Sequence, residues 1–224
     1  PEGYASIQVP LDRPTWPPLN GYTLSMWFYI ESYGGNTPEA MQPIDLCGFE
    51  VHDPKNKTTL FINQMGMLSF HTAGKQPVTM SNVSEPMMFQ ERQWYQIALC
   101  HTHNVLARPS TDATLFVNGA QKWTGKLHYL PPPNGPVFAT IGTPLLSKRA
   151  PATTTENSQR WQLGPVFFLE KTLSPQQILW LYLAGRQFGD SIEASLSNFQ
   201  SPDIVSPTNL CMAQKLSPRA ALEC

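Results

Sequence analysis

Residues 160–185, RWQLGPVFFLEKTLSPQQILWLYLAG, decide the fold, because a strand signal there runs into a short helix whose two ends are both marked. Ser174 stands where an N-cap oxygen can accept from a free backbone N–H, Pro175 is preset for the first helical position, and Gln177 completes a capping-box spacing. Gly185 is the natural stop. Upstream of the helix, residues 163–169 form an apolar run of strand length. Gly164 and Pro165 inside it suit a bent or edge strand better than a flat central one. A strand, a tight connection and one terminal helix close many two-sheet β-sandwiches, so the chain before residue 160 is expected to be strands.

The rest of the chain agrees with that expectation. Residues 22–31 alternate in the β manner, with Tyr22, Leu24, Met26, Phe28 and Ile30 on one face and Thr23, Ser25, Trp27 and Tyr29 on the other. Neither face is polar enough for solvent, which predicts a strand covered on both sides. Further strands are read at 5–9, 44–51, 59–63, 67–72, 78–83, 94–101, 114–117, 121–125 and 137–141. Asn118-Gly119 readily takes the positive φ angles of a type I′ turn and marks a hairpin. The fold class is therefore all-β: an antiparallel two-sheet jelly-roll β-sandwich with one short C-terminal helix. Residues 1–190 are assigned to the sandwich. Residues 191–224, with scattered Pro and Ser and little periodicity, are assigned to an extension or linker leading to the next domain of a larger protein.

Composition narrows the function. A chain of 224 residues can form one large β domain, and a formal net charge of -1 offers no basic face for nucleic acid. The longest apolar runs are of strand length, well short of the roughly 18 to 20 residues that span a bilayer. Cys47, Cys100, Cys211 and Cys224 have no C-x-x-C spacing, and two of them lie in apolar strands, the pattern of buried free thiols. The triplets Asn56-Lys-Thr58 and Asn82-Val-Ser84 pull toward secretion, at a frequency chance also supplies.

A jelly-roll glycosidase needs paired carboxylates on one groove, usually at alternate positions of one strand, whereas Glu31, Asp45, Glu50 and Asp53 are spread over strand ends and loops. Glu50, Asp53 and Asn56 fall short of a calcium-loop pattern. His101 and His103 would share a side on a continuous strand, but a third metal ligand is not evident. No nucleophile elbow or Cys–His signature is present. The expectation is a protein without catalytic, cofactor or metal residues. Trp27, Trp94, Trp161 and Trp180 are expected in the core. Trp16, in the Pro-rich lead-in, and Trp123, after the hairpin, are the candidate aromatic contacts, and Lys148-Arg149 is a candidate patch for an acidic partner or surface.

The ordered signals also resemble a known family. The opening Trp16-Pro-Pro-Leu-Asn-Gly-Tyr-Thr-Leu-Ser-Met-Trp-Phe28, Trp94-Tyr95 with His101, Val117-Asn-Gly119, and Gln162-Leu-Gly164 through Ile178 resemble the concanavalin A-like, laminin-G-like domain of BEACH-family scaffold proteins of the neurobeachin type. The similarity covers roughly residues 1–190. It implies a non-catalytic protein-interaction or structural module of a very large cytoplasmic protein acting in vesicle trafficking, lysosome-related organelles or autophagy. Its implied partners are proteins or neighbouring domains of the same chain, with membrane association only through the parent. The alternative is a secreted or cell-surface laminin-G-like lectin module that binds glycans or matrix proteins.

Overall fold

The computed structural model describes residues 6–11, 17–34, 43–51, 57–72, 74–82, 86–103, 110–129, 137–142 and 159–186. Its strands are β1 (Ser6–Leu11), β2 (Tyr22–Ser32), β3 (Ile44–Val51), β4 (Thr58–Ile62), β5 (Leu68–Thr72), β6 (Val78–Thr79), β7 (Trp94–His101), β8 (Ser110–Val117), β9 (Ala120–His128), β10 (Val137–Gly142) and β11 (Arg160–Leu169). The helix α1 spans Pro175–Ala184. The strands form two sheets, ordered β1-β10-β3-β4-β5-β6 and β11-β2-β7-β8-β9, and every pairing is antiparallel. The expected sandwich is what the chain builds.

Between the sheets lies one continuous core. From the five-stranded sheet come Leu24, Met26, Phe28, Ile30, Ile97, Leu99, Leu115 and Val166, and from the six-stranded sheet Ile44, Leu46, Leu60, Ile62, Leu68, Phe70 and Ile141. The inward set of β2 is the alternate-residue set that its sequence pattern implies, because side chains on a strand point to opposite faces in turn. The other set is buried as well. Thr23 is fully buried, Ser25 is 2% exposed and Trp27 9%. With β11 on one side and β7 on the other, β2 is enclosed in all directions.

Sheet edges are blunted in ways the sequence supplies. β6 has only two residues, and β11 shifts register between Leu163 and Val166, where Gly164 and Pro165 interrupt the ladder. On β9, the edge of the five-stranded sheet, Lys122 and Lys126 are exposed. β6 is shorter than the expected 78–83 strand. After Met80 donates its N–H to the Leu68 carbonyl (2.9 Å), the Asn82 amide donates to the Lys122 carbonyl on β9 (2.9 Å), so the chain has already left its own sheet. The β8–β9 turn is the expected Asn-Gly turn, with φ of 51° at Asn118 and 76° at Gly119. Asn118 also extends the β7 ladder, since its N–H donates to the Gln96 carbonyl (2.8 Å) and its Oδ1 accepts from the Gln96 N–H (2.9 Å).

The Pro-rich lead-in is fastened to the end of β7. Gly21, at φ 98°, donates its N–H to the Pro18 carbonyl (3.1 Å), the Tyr129 hydroxyl donates to the same carbonyl, and His103 Nδ1 lies 2.8 Å from the Leu19 carbonyl. A Cβ at Gly21 would sit 2.4 Å from the His101 carbonyl oxygen and 2.9 Å from the Thr102 Cα, so backbone geometry and space both demand glycine. Gly21→Ala should lower stability by more than about 2 kcal/mol, read as a lower urea midpoint at unchanged m-value.

Candidate interaction surface

The outer face of the five-stranded sheet carries a second, smaller core. Ala98 and Cys100 of β7, Phe116 of β8, Leu169 of β11, Leu173 and Ile178 form it, with Phe167 and Leu181 packed against it. α1 lies over these residues as the N-cap and stop signals imply. The Ser174 hydroxyl accepts from the Gln177 N–H (3.3 Å), the Gln177 side chain accepts from the Ser174 N–H (2.9 Å), and Gly185 ends the helix at φ 78°. Its position over the sheet is fixed along its whole length. At its start, Thr23 Oγ1 donates to the Lys171 carbonyl (2.8 Å) and accepts from the Leu173 N–H (2.9 Å). Further on, Tyr182 stacks on Trp27 with ring centroids 5.7 Å apart, and the Arg186 guanidinium sits 4.3 Å over the Trp94 ring. Leu179 and Tyr182 press on the β8–β9 turn, where a Cβ at Gly119 would meet Leu179 Cδ1 at 3.0 Å.

The outward side of α1 is apolar too. Leu179 is 44% exposed, Trp180 70% and Leu183 63%. This corrects the expectation that Trp180 belongs to the core: residues 178–183 are six consecutive apolar residues, and a helix turning 100° per residue cannot aim all of them at one sheet. Ile178, Leu181 and Tyr182 take the inward arc and leave Trp180 outside. That unbroken apolar run was the signal in the sequence. Trp27 is buried and Trp161 half-buried against the main core as expected, whereas Trp94 is half-buried outside both cores, beside Tyr29 at 5.5 Å.

The other expected contacts fare differently. Trp123 is half-buried on β9, paired across from Leu115 and packed against the main core, with its indole covering Gly125. Trp16, Lys148 and Arg149 lie outside the described residues, as do Asp53 and Asn56, Cys211 and Cys224.

Glu31 and Asp45, the candidate carboxylates whose side chains are described, do not converge. Glu31 is at the end of β2 in one sheet, facing Arg160 at 3.7 Å, while Asp45 is on β3 in the other. On the outer face of the six-stranded sheet, Phe61 is 6% exposed and Ser69 1%, so that face is not an open groove at its centre. Cys47 and Cys100 are free, buried thiols on different sheets, and burial raises the pKa of both.

His101 is the last residue of β7 and His103 lies beyond it, and both rings lie against Tyr129, at 4.7 and 4.5 Å between centroids. His101 points into the core and places Nδ1 3.1 Å from the Tyr22 hydroxyl, whereas His103 stacks on Tyr129 with centroids 4.5 Å apart. Among the described residues, no group of three His, Cys, Asp or Glu side chains could hold a metal ion.

A sequence profile described as the concanavalin A-like lectin/glucanases superfamily matches residues 1–153, more than half of the chain. The chain belongs to the concanavalin A-like lectin/glucanases superfamily. This concanavalin A-like chain is also similar to two proteins of Arabidopsis thaliana. Protein SPIRRIG is 25% identical over 213 residues, which is 83% of the chain and 6% of SPIRRIG. BEACH domain-containing protein A2 is 27% identical over 176 residues, 66% of the chain and 5% of that protein. The resemblance to the lectin-like domain of BEACH-family proteins thus holds, and the chain spans about a twentieth of the length of these relatives. Among solved structures, the heptameric SAP-like pentraxin of Limulus polyphemus has a TM-score of 0.52 at 13% identity, covering 81% of this chain and 76% of the pentraxin. The binding domain of botulinum neurotoxin serotype D/C VPI 5993 reaches 0.53 at 13% identity, covering 80% and 40%. At such identities the likeness is one of fold alone. No helix among the described residues is long and apolar enough to cross a membrane.

Two outcomes follow for this concanavalin A-like domain. Thr23→Val keeps shape but strands the buried Leu173 N–H, so it should cost about 2 kcal/mol of stability and speed hydrogen exchange in α1. Burial lowers the His101 pKa from 6.5 to about 4, so between these values the unfolded chain binds a proton that the folded chain refuses. Stability should therefore fall as pH drops from 6.5 to about 4, by on the order of 3 kcal/mol, and His101→Phe should flatten that window in urea titrations.

Proposed function

We propose that this domain is a non-catalytic protein-interaction or structural module of a large BEACH-type scaffold protein in the cytoplasm. The observation that carries this reading is the alignment with SPIRRIG, which takes in 83% of the chain but 6% of the relative, the proportion of one module in a long polypeptide. Among the described residues, the placement of Glu31 and Asp45 on different sheets and the buried, separate thiols of Cys47 and Cys100 support it. Vesicle trafficking, lysosome-related organelle biology or autophagy is the setting that the BEACH family supplies. Contacts to other proteins or to neighbouring domains of the parent are made through Trp16 and the Lys148-Arg149 pair, with Trp123 contributing only its rim.

In the full-length parent expressed in cells, combining Trp16→Ala with Lys148→Glu and Arg149→Glu should reduce recovery of co-purifying proteins by about fivefold or more. The purified chain should bind no saccharide on a glycan array with or without calcium. Saccharide binding, or glycan attached at Asn56 or Asn82, would replace this reading with that of a secreted lectin module.

A further inference from the structure

β9 is the last strand of its sheet, with β8 on one side and no described strand on the other. Which of its backbone groups face that open side follows from the ladder. Thr102 donates its N–H to the Asp112 carbonyl (2.9 Å), so the backbone groups of Asp112 point toward β7 and away from β9. Asp112 and Lys126 are therefore a cross-strand pair without mutual hydrogen bonds, and in an antiparallel ladder such pairs alternate with bonded ones. The register is unbroken from Trp123 to His128, so Thr124, Lys126 and His128 all turn their N–H and C=O groups outward. Their side chains share the outer face of the sheet, because Trp123 and Leu127 pack inward. Nearer the hairpin, the Lys122 carbonyl accepts from the Asn82 amide (2.9 Å), a donor that comes from outside the sheet.

The charge along this edge is one-sided. Lys122 and Lys126 are exposed, and among the described residues neither is in an ion pair. Burial lowers the His128 pKa and the exposed Lys75 ammonium adds to the shift, which places a third cation near the other end of the edge. Asp112, across from Lys126, offsets only part of this. Since the chain as a whole has a formal net charge of -1, the excess is local.

We propose that β9 is a docking edge for an acidic, extended peptide segment of a partner protein, which pairs with residues 124–128 and continues the five-stranded sheet. The outward N–H and C=O groups of Thr124, Lys126 and His128 supply affinity whatever the partner's sequence, and carboxylates at alternate positions of the incoming strand meet the lysines and supply selection. A second copy is a poorer occupant. Two β9 strands paired antiparallel about Lys126 would set that lysine against itself, and like charges directly opposite repel. An acidic strand on β9 requires neither a BEACH-type parent nor Trp16, Lys148 or Arg149, so the two readings stand or fall separately.

The 224-residue chain is titrated, by fluorescence anisotropy, against a labelled seven-residue peptide of alternating glutamate and valine. Saturable binding is expected, weakened about tenfold or more by Lys122→Glu combined with Lys126→Glu. Thr124→Pro should weaken it comparably, because it removes an outward N–H while leaving the bonds to β8 in place, and an unchanged urea midpoint shows that this variant is folded. Two N-methylated peptides, one for each set of alternate residues, carry the same charge and need no variant of the chain. Only one of them should lose binding, since a strand bonds along one edge at a time. Equal binding by both N-methylated peptides, or full binding by folded Thr124→Pro, would mean charge attraction without strand pairing and would overturn the proposal. Binding unchanged by the lysine reversals, or no binding at about 1 mM peptide, would overturn it as well.

Discussion

The structure depends on burying β2 from both sides. A strand with Leu24, Met26, Phe28 and Ile30 on one face needs an opposing sheet. One with Trp27 on the other face needs a further layer, because leaving an indole in water forfeits a few kcal/mol of transfer free energy. The sandwich supplies the first and α1 the second. The polar members of the outer set make the arrangement specific. Thr23 could not be buried there unless its hydroxyl were satisfied, and the Lys171 carbonyl and Leu173 N–H satisfy it while placing the turn into α1. Ser25 is met in the same way, accepting from the Gln96 side chain at 2.8 Å. Directional bonds at one end of the helix and aromatic contacts at the other fix where an otherwise slippery apolar helix comes to rest.

A second constraint closes one end of the sandwich. Tyr22, His101 and Tyr129 meet there at ring-centroid distances of 4.7 to 5.8 Å, and the Pro18-Leu19 segment is bonded to Tyr129 and His103 around them. Within the stretch that resembles the BEACH-family opening, residues 17–28 are thus one packed unit. The prolines limit the lead-in's freedom before folding, Gly21 lets it pass the β7 carbonyl at close range, and the tyrosine and histidine rings fill the space beneath. Pro18, Leu19, Gly21 and Tyr22 of this stretch together close one end of the β-sandwich. Burial of His101 in that end makes it a structural histidine that stays neutral where an exposed one would titrate.

How much of this was legible in the sequence varies with the physics behind each signal. The ends of α1 were readable because capping is local: Ser174, Pro175, Gln177 and Gly185 act within one turn. The double-sided burial of β2 was readable because alternation is a property of a single strand. The Asn118-Gly119 turn was readable for the same reason, though not the bond from Asn118 back to β7, which joins residues 22 positions apart in sequence. β6 stopped early and β9 ran on to His128 because pairing partners, not propensity, set those limits. Trp180 was misplaced because strand-like reasoning treats every apolar residue in a strong element as core. In a helix the decisive question is which arc faces the sheet, and only Ile178, Leu181 and Tyr182 do.

The same layering bears on how such a fold can be used. In a bare sandwich the outer sheet faces are the broad surfaces on which a ligand could lie. Here one is occupied by α1 and its small core, and the other is closed at Phe61 and Ser69. The centre of each broad face is thus filled by the chain's own side chains, at Phe116 on one and Phe61 on the other. Of the sheet edges, β6 is short, β11 bulged and β9 charged, which opposes indiscriminate strand pairing. A stiff frame of strands that carries stability leaves connecting segments free to vary, the arrangement in which loops carry recognition. Loop contacts are also the kind most easily altered without disturbing the core, because substitutions there leave the burial of β2 untouched.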